Sequence, residues 1–577
     1  MFFLKISTNG LKKNNIIFVE NFVDPQTKIN LNKNGYKCEQ FHVHDSVNKL
    51  TKDIKKAQYI YDKFTRIIKL KIEKFSNKKI NSKIIHLILS KWFFYYISNS
   101  YYKFKVLKEI KRKYPKFSLI NIKDKEILEE DKYLYAPNST LLNFHLMKNI
   151  GIQQSVKITQ VKFYQIQELI FFYPSPVSKH NKLNLSFLIK LLFSKVSIMI
   201  SKMFYKNTIY IHDDVLNFLN ILKLILKSKF RFSYLFFLEK NPNEDINISD
   251  FNYLKIEAEE KFEKILSENF FIYLPKSILL LIKQCNLMIN KKMKLKSKDF
   301  IISKRFYGAG YFYFKKYIIE NISQKNLISF QHGGSYGQEK FYFPEKAEKL
   351  ISDFFASWGW RGKNVFTLPV PLKESNKKMN FKNKSSYILF STISCNWNFF
   401  SYPNNPEMIP NFQMKPTFDF LSKISKKKSV ILRLPPYRHV WREKDFFGRI
   451  KKIKIDDHNN SFEYMATHAN LVIHNHFNTT ALETLSWNIP TLIFNHRKLQ
   501  HFNPKADKFL NKLVKANVFF YSQDKLLNFL RKNNFDMRSW WSQKKVQDAR
   551  RNFCKNYCHR SIDWQEEWIS TLKNIGR

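Results

Sequence analysis

Two short apolar runs, with a polar turn and a helix-length segment between them, constrain this chain more than any other feature. Asn470-Leu471-Val472-Ile473-His474 leads into Asn475-His476-Phe477-Asn478-Thr479-Thr480-Ala481-Leu482-Glu483-Thr484-Leu485, and then into Ile489-Pro490-Thr491-Leu492-Ile493-Phe494. Unbroken apolar runs of this length read as strands buried on both faces, the mark of a parallel sheet. Parallel strands need a crossover, and the segment between them supplies a helix. A helix opens with N–H groups that have no intrahelical acceptor and with partial positive charge, so it attracts phosphate. Open α/β sheets bind ligands at the carboxyl ends of their strands. The unit is therefore expected to hold a nucleotide diphosphate at Asn478, Thr479 and Thr480, with Glu483 at ribose or sugar hydroxyls. Thr480-x-x-Glu483 also fits a capping box, which needs no ligand.

The same alternation recurs along the chain. Segments 16–22, 208–212, 300–303, 327–331 and 354–360 read as strands in the first half, with a long aromatic-rich helical stretch over 49–113. Segments 387–393, 429–434, 471–474 and 491–494 restart the pattern. At 577 residues the chain exceeds one core, and 44% hydrophobic residues suffice to build more than one. The expected fold class is α/β: two Rossmann-like domains facing a cleft, GT-B-like by analogy of fold, with helical insertions and a helical C-terminal tail. Residues 1–365 would form the acceptor-side domain. Residues 366–386, with Pro369 and Pro371 among Lys, Asn and Ser, would be the linker. Residues 387–530 would bind the donor and 531–577 would be the tail.

Two further motifs point at the cleft. Arg433 ends the apolar run 429–434 and is followed by Pro435 and Pro436, with Arg438 nearby. A guanidinium there suits phosphate oxygens, or alternatively a structural carboxylate. Gln331-His332-Gly333-Gly334-Ser335-Tyr336-Gly337 ends another strand. Its glycines let backbone approach a ligand, and His332 is the candidate general base. His474-Asn475-His476 lacks a third metal ligand nearby, no phosphate-cradling Gly-x-x-x-x-Gly-Lys or Gly-x-Gly-x-x-Gly occurs, and no Asp-x-Asp for metal-dependent sugar transfer is present. Neither metal nor cofactor is expected.

The net charge of +52 would attract anions. The lysines are spread along the chain without a nucleic-acid module, so composition bias is the preferred explanation and no specific nucleic acid is expected. The five cysteines are irregularly spaced, which favours a reducing compartment. Met1-Phe2-Phe3-Leu4-Lys5 does not open a signal peptide. Segments 185–204 and 216–230 are apolar but interrupted by lysines. They read as helices on an anionic membrane surface or as core helices with lysine heads reaching solvent, the latter being preferred.

With these residues in view, the chain resembles a bacterial transferase family first catalogued in spirochaete surface-carbohydrate gene clusters. The resemblance rests on the Gln331–Gly337 motif, on Ile351-Ser352-Asp353-Phe354-Phe355-Ala356-Ser357-Trp358-Gly359-Trp360, and on Asn478-Thr479-Thr480-Ala481-Leu482-Glu483-Thr484 with Asn488-Ile489-Pro490-Thr491. Phe41-His42-Val43-His44-Asp45 and Lys91-Trp92-Phe93-Phe94 look like its weaker N-terminal motifs. The first strand departs from the family, with Val19-Glu20-Asn21-Phe22 in place of an aromatic-and-cysteine ending. The resemblance implies surface-polysaccharide synthesis: a cytoplasmic glycosyltransferase-like enzyme using a nucleotide-sugar donor and a glycan or lipid-linked acceptor, with peripheral contact at the inner membrane left open. The His-Gly step also resembles polyol-phosphate transferases, which keeps a cytidine diphosphate donor as the alternative. The remaining alternative is a basic nucleic-acid- or membrane-binding protein that is not an enzyme.

Overall fold

A computed structural model describes residues 2–5, 16–122, 140–161, 185–239, 242, 244–288, 299–308, 311–322, 325–371, 387–393, 407–436, 441–499 and 501–575. Arg438, Cys395 and most of the expected linker, 372–386, lie outside the described residues.

Among the described residues, three large sheets and one two-stranded sheet organise the chain. The first comprises β1 (Phe2–Lys5), β2 (Ile16–Val19), β3 (Lys37–Glu39), β4 (Ser118–Ile122) and β5 (Lys157–Val161), in the order β3-β2-β1-β4-β5 with β1 antiparallel to both neighbours. The sequence reading found only β2 of these strands, because β3, β4 and β5 lack an unbroken apolar run and β1 owes its conformation to partners distant in sequence. Against it pack two long helices, Val47–Ser76 and Ser82–Lys113.

The second sheet is parallel: β6 (Ile209–His212), β7 (Phe232–Leu235), β8 (Asp299–Ser303), β9 (Lys325–Phe330), β10 (Phe354–Ser357) and β11 (Val365–Thr367), in the order β11-β10-β9-β8-β6-β7. It divides two cores. Along β8, Ile301 joins the core shared with the N-terminal helices, while Phe300 and Ile302 face the opposite core, which runs on into the C-terminal half.

Short β12 (Val370–Pro371) precedes the third sheet: β13 (Tyr387–Ser391), β14 (Ser429–Arg433), β15 (Ile453–Ile455), β16 (Leu471–His474), β17 (Thr491–Phe494) and β18 (Phe519–Phe520). Its order, β15-β14-β13-β16-β17-β18, is the doubly wound 3-2-1-4-5-6 arrangement. The fold is α/β, with two Rossmann-like sheets whose strand ends face a common cleft.

The chain then returns. Helix Lys544–Tyr557 lies beside the Thr479–Ser486 helix, β19 (Arg560–Ser561) pairs with β12, and helix Trp564–Ile575 reaches the second sheet. There the Trp568 indole N–H donates to the Pro369 carbonyl (2.8 Å) and the ring tilts against Phe330.

The helix Leu185–Phe204 corrects an expectation. Its inner face carries Ser194, Ser197 and Ser201, and its apolar stripe faces solvent, so it is not a core helix. The reason is that β7 is an edge strand, and the serines satisfy its backbone. Ser194 Oγ donates to the Tyr234 carbonyl (3.0 Å), and the Tyr234 N–H donates to Ser197 Oγ (3.1 Å). Periodicity finds an apolar face without saying which way it points.

A buried carboxylate ties the first sheet's loops to the C-terminal half. Glu407 accepts from the backbone N–H groups of Val43 (3.2 Å) and His44 (3.0 Å), and from the Asn21 amide (3.3 Å) and the Tyr102 hydroxyl (3.1 Å). The Phe41–Asp45 motif thus contributes backbone donors. Burial pushes Glu407 from its ordinary 4.5 up to about 7 against the pull of these bonds. A folded carboxyl that keeps its proton longer than the unfolded one stabilises most below pH 4.5, and that stabilisation is lost as pH rises to about 7. The expected slope is about 1.4 kcal/mol per pH unit. Denaturant titrations across that window should show it in the natural protein and a flatter profile in Glu407→Gln.

Candidate active site

Gln331, at the end of β9, builds the loop that carries His332. Its side-chain oxygen accepts from the Trp358 N–H and the Trp360 indole N–H (both 2.9 Å), and its amide donates to the Gly333 carbonyl (2.9 Å). One buried amide therefore joins the Gln-His-Gly-Gly and Ser-Trp-Gly-Trp motifs. At Gly337 φ is +66°, and a Cβ would sit 2.5 Å from the Trp360 ring, so only glycine fits.

This loop touches the start of the Thr479–Ser486 helix across the cleft. The Gly334 N–H donates to Thr479 Oγ1 (3.2 Å), and Ser335 Oγ donates to Asn478 Oδ1 (3.0 Å). A Cβ on Gly334 would lie 2.7 Å from Asn478 Cα, and one on Gly333 3.0 Å from Thr479 Oγ1. Backbone meets backbone here. Asn478 is the N-cap and its side chain makes no capping bond, so the Thr480–Glu483 box does not form. Thr480 Oγ1 lies 3.5 Å from Ser391 Oγ at the end of β13. The Asn478 N–H donates to His476 Nδ1 (3.2 Å), which requires a neutral ring there, and burial lowers His476 to about 3.

His332 projects from the N-terminal side of the cleft and keeps 37% of its side chain exposed. Its Nδ1 is 3.4 Å from Glu348 Oε1, and the Tyr336 hydroxyl is 3.2 Å from both ring nitrogens. Enclosure lowers His332 to about 4, with help from the charges of Lys304 and Lys91. Burial drives Glu348 well above the carboxylate range. The pair is thus a neutral imidazole beside a protonated acid.

Charged residues ring His332. At the end of β6 stand His212, Asp213 and Asp214; at the end of β8 stand Lys304 and Arg305. Asp214 is buried and accepts from Ser303 Oγ (2.8 Å) and the Lys304 N–H (3.2 Å), with His212 Nδ1 at 3.1 Å. Burial opposes its charge most strongly, but His212 together with the bonds from Ser303 and the Lys304 N–H holds Asp214 below its ordinary range. Burial lowers Lys304 to about 8. Among the described residues no group of three or more His, Cys, Asp or Glu is arranged for a metal.

A family model matches residues 5–572 and is described as the LIC12162 family transferase. The chain belongs to that family. No curated protein matches this LIC12162 family transferase in sequence. Among solved structures it is similar to Acinetobacter baumannii MurG at 9% identity, covering 64% of this chain and 99% of that one, with a TM-score of 0.31. It is similar to Methanocaldococcus jannaschii UDP-GlcNAc 2-epimerase at 11% identity, covering 64% and 99%, with a TM-score of 0.34. It is similar to the wall teichoic acid polymerase TagF at 11% identity, covering 68% and 98%, with a TM-score of 0.32.

The expected residues of the LIC12162 transferase do not all converge. His332, Gly333, Gly334, Asn478 and Thr479 meet at one point, with Thr480 beside them. Arg433 and His474 both pair with Ser391 in register, so Arg433 stands at the same sheet edge. Its guanidinium, however, donates to the buried Asp456 carboxylate and to the Asn460 carbonyl (3.0 Å). Glu483 lies within electrostatic reach of Arg560, on the returning tail. Sequence reading missed Asp214, Lys304, Arg305 and Glu348. Their signal was weak: Asp214, Lys304 and Arg305 merely follow buried strands, and Glu348 sits among other charged residues on the helix Phe343–Ile351.

Gly334→Ala should force the two backbones apart and cost about 1–3 kcal/mol by overpacking. At Gly362 the nearest atom to an added Cβ is 3.5 Å away, so Gly362→Ala should stay within about 0.5 kcal/mol. Denaturation midpoints of the two variants check this.

Proposed function

We propose that this transferase moves a sugar from a nucleotide-activated donor to a glycan or lipid-linked acceptor in surface polysaccharide synthesis, at the cytoplasmic face of the inner membrane. One observation carries the reading: the His332-Gly333-Gly334 loop meets the start of the Thr479 helix at the carboxyl ends of two opposed parallel sheets. The donor would sit on 387–530 and the acceptor on 1–365. The amides and hydroxyls of Thr479 and Thr480, with Asn478, would stabilise the departing diphosphate without a metal. Gly333 and Gly334 would admit it closely. Glu483 would hold ribose or sugar hydroxyls. Arg433 would reach the diphosphate by exchanging Asp456 for phosphate oxygens. His332 would take the acceptor hydroxyl's proton, with Glu348 as a positioning residue.

The cations around His332 favour a second reading. Lys91, Lys304 and Arg305 suit a phosphoryl group in transfer, as in a polyol-phosphate transferase using a cytidine diphosphate donor. Product analysis separates the two, since the second leaves phosphorus in the product.

A melting-temperature panel of nucleoside-diphosphate sugars should find one donor that stabilises by about 2.7 kcal/mol at a hundred times its Kd. Replacing Thr479 and Thr480 by Val should abolish that gain. No stabilisation by any nucleotide donor, alongside stabilisation by RNA, would overturn the reading.

His332→Ala should lower turnover roughly 10²–10⁴-fold while leaving the donor shift intact. Because His332 is lowered from 6.5 to about 4, its basic form persists as pH falls through 6.5. The acid limb of the rate profile should therefore lie below 6.5 and vanish in the variant.

A further inference from the structure

The helix Leu185–Phe204 presents to solvent the face that soluble proteins bury. Leu188, Ile189, Leu192, Val196, Met199 and Met203 follow helical spacing, and Leu192 and Met203 are 65% and 71% exposed. The opposite face is fixed by the serine bonds to β7, so the helix cannot roll over to hide the stripe without losing them. Phe193 packs edge-on against Phe218 of the adjoining helix Phe218–Lys227, whose Leu219 and Leu226 are also exposed.

We propose that this stripe is a docking surface for an anionic lipid bilayer. The charge pattern selects that occupant. Lys195 and Lys202 are exposed along one border of the stripe and Lys206 follows it, while no Asp or Glu occurs from residue 185 to 212. An apolar face bordered by lysines lies in the interface of anionic membranes, with side-chain ammonium groups among the headgroups. A second copy docked through the same face would set these lysines against one another. No single helix among the described residues is long and apolar enough to cross a membrane. The inference deepens the membrane-side part of the proposed function by naming the surface that makes the contact. Its test needs no donor or acceptor, so the two fail separately.

The full chain is sedimented with vesicles of phosphatidylcholine alone and of phosphatidylcholine with about one third phosphatidylglycerol. Expected is binding to the anionic vesicles only, weakened by salt. Partition should drop at least about tenfold in Leu192→Glu/Met199→Glu and severalfold in Lys195→Gln/Lys202→Gln. Both variants are surface changes and should keep the melting temperature, which separates lost docking from lost folding. Unchanged partition in Leu192→Glu/Met199→Glu, no binding by the natural protein, or a dimer that this variant dissociates would each overturn the proposal.

Discussion

The approach of the Gly333–Gly334 backbone to the first residues of the Thr479 helix is the contact on which the cleft depends. It brings the carboxyl end of one parallel sheet to that of the other, and at Gly334 it leaves no room for a Cβ. Everything placed nearby follows from it. Gln331 fixes the loop to two strand ends, and the Asn478 N–H is already committed to His476. The Thr479 hydroxyl meets the Gly334 N–H and the Thr480 hydroxyl lies beside Ser391, so the start of this helix is tied to both sides of the cleft.

Burial sets the electrostatics of the cleft as much as charge does. His332, His476 and Lys304 are all pushed toward neutrality by enclosure, and Glu348 toward its protonated form. Asp214 is the exception, held below its ordinary range against burial by His212 together with Ser303 and the Lys304 N–H. Groups held neutral in this way avoid the cost of a buried charge. The chain's large positive charge therefore does not by itself describe the cleft, where Asp213 and Asp214 face Lys304 and Arg305. The lysines with the clearest geometric meaning lie elsewhere, beside the exposed stripe of Leu185–Phe204.

Much of the second half was legible from pattern alone. The strands expected at 471–474 and 491–494 are β16 and β17, and the helix expected between them begins at Thr479. Buried parallel strands announce themselves as apolar runs, and a following polar turn marks the ligand edge. The five-stranded sheet was not legible, since β1, β3 and β4 owe their conformation to partners distant in sequence. Glu407 was missed for the same reason: its donors are at positions 21, 43, 44 and 102. The outward stripe was seen as periodicity but placed on the wrong side, because the deciding fact is an edge strand that needs serine hydroxyls. Arg433 was found at the right edge, yet its carboxylate partner comes from the end of another strand.

The most direct test is amide hydrogen exchange of the full chain with and without the nucleotide diphosphate that raises its melting temperature. Slowed exchange confined to residues 333–337 and 478–484, on both sides of the cleft, is the predicted result. Protection that bypasses the Thr479 helix, or that appears only within the five-stranded sheet and its helices, would contradict a diphosphate held between that helix and the glycine loop.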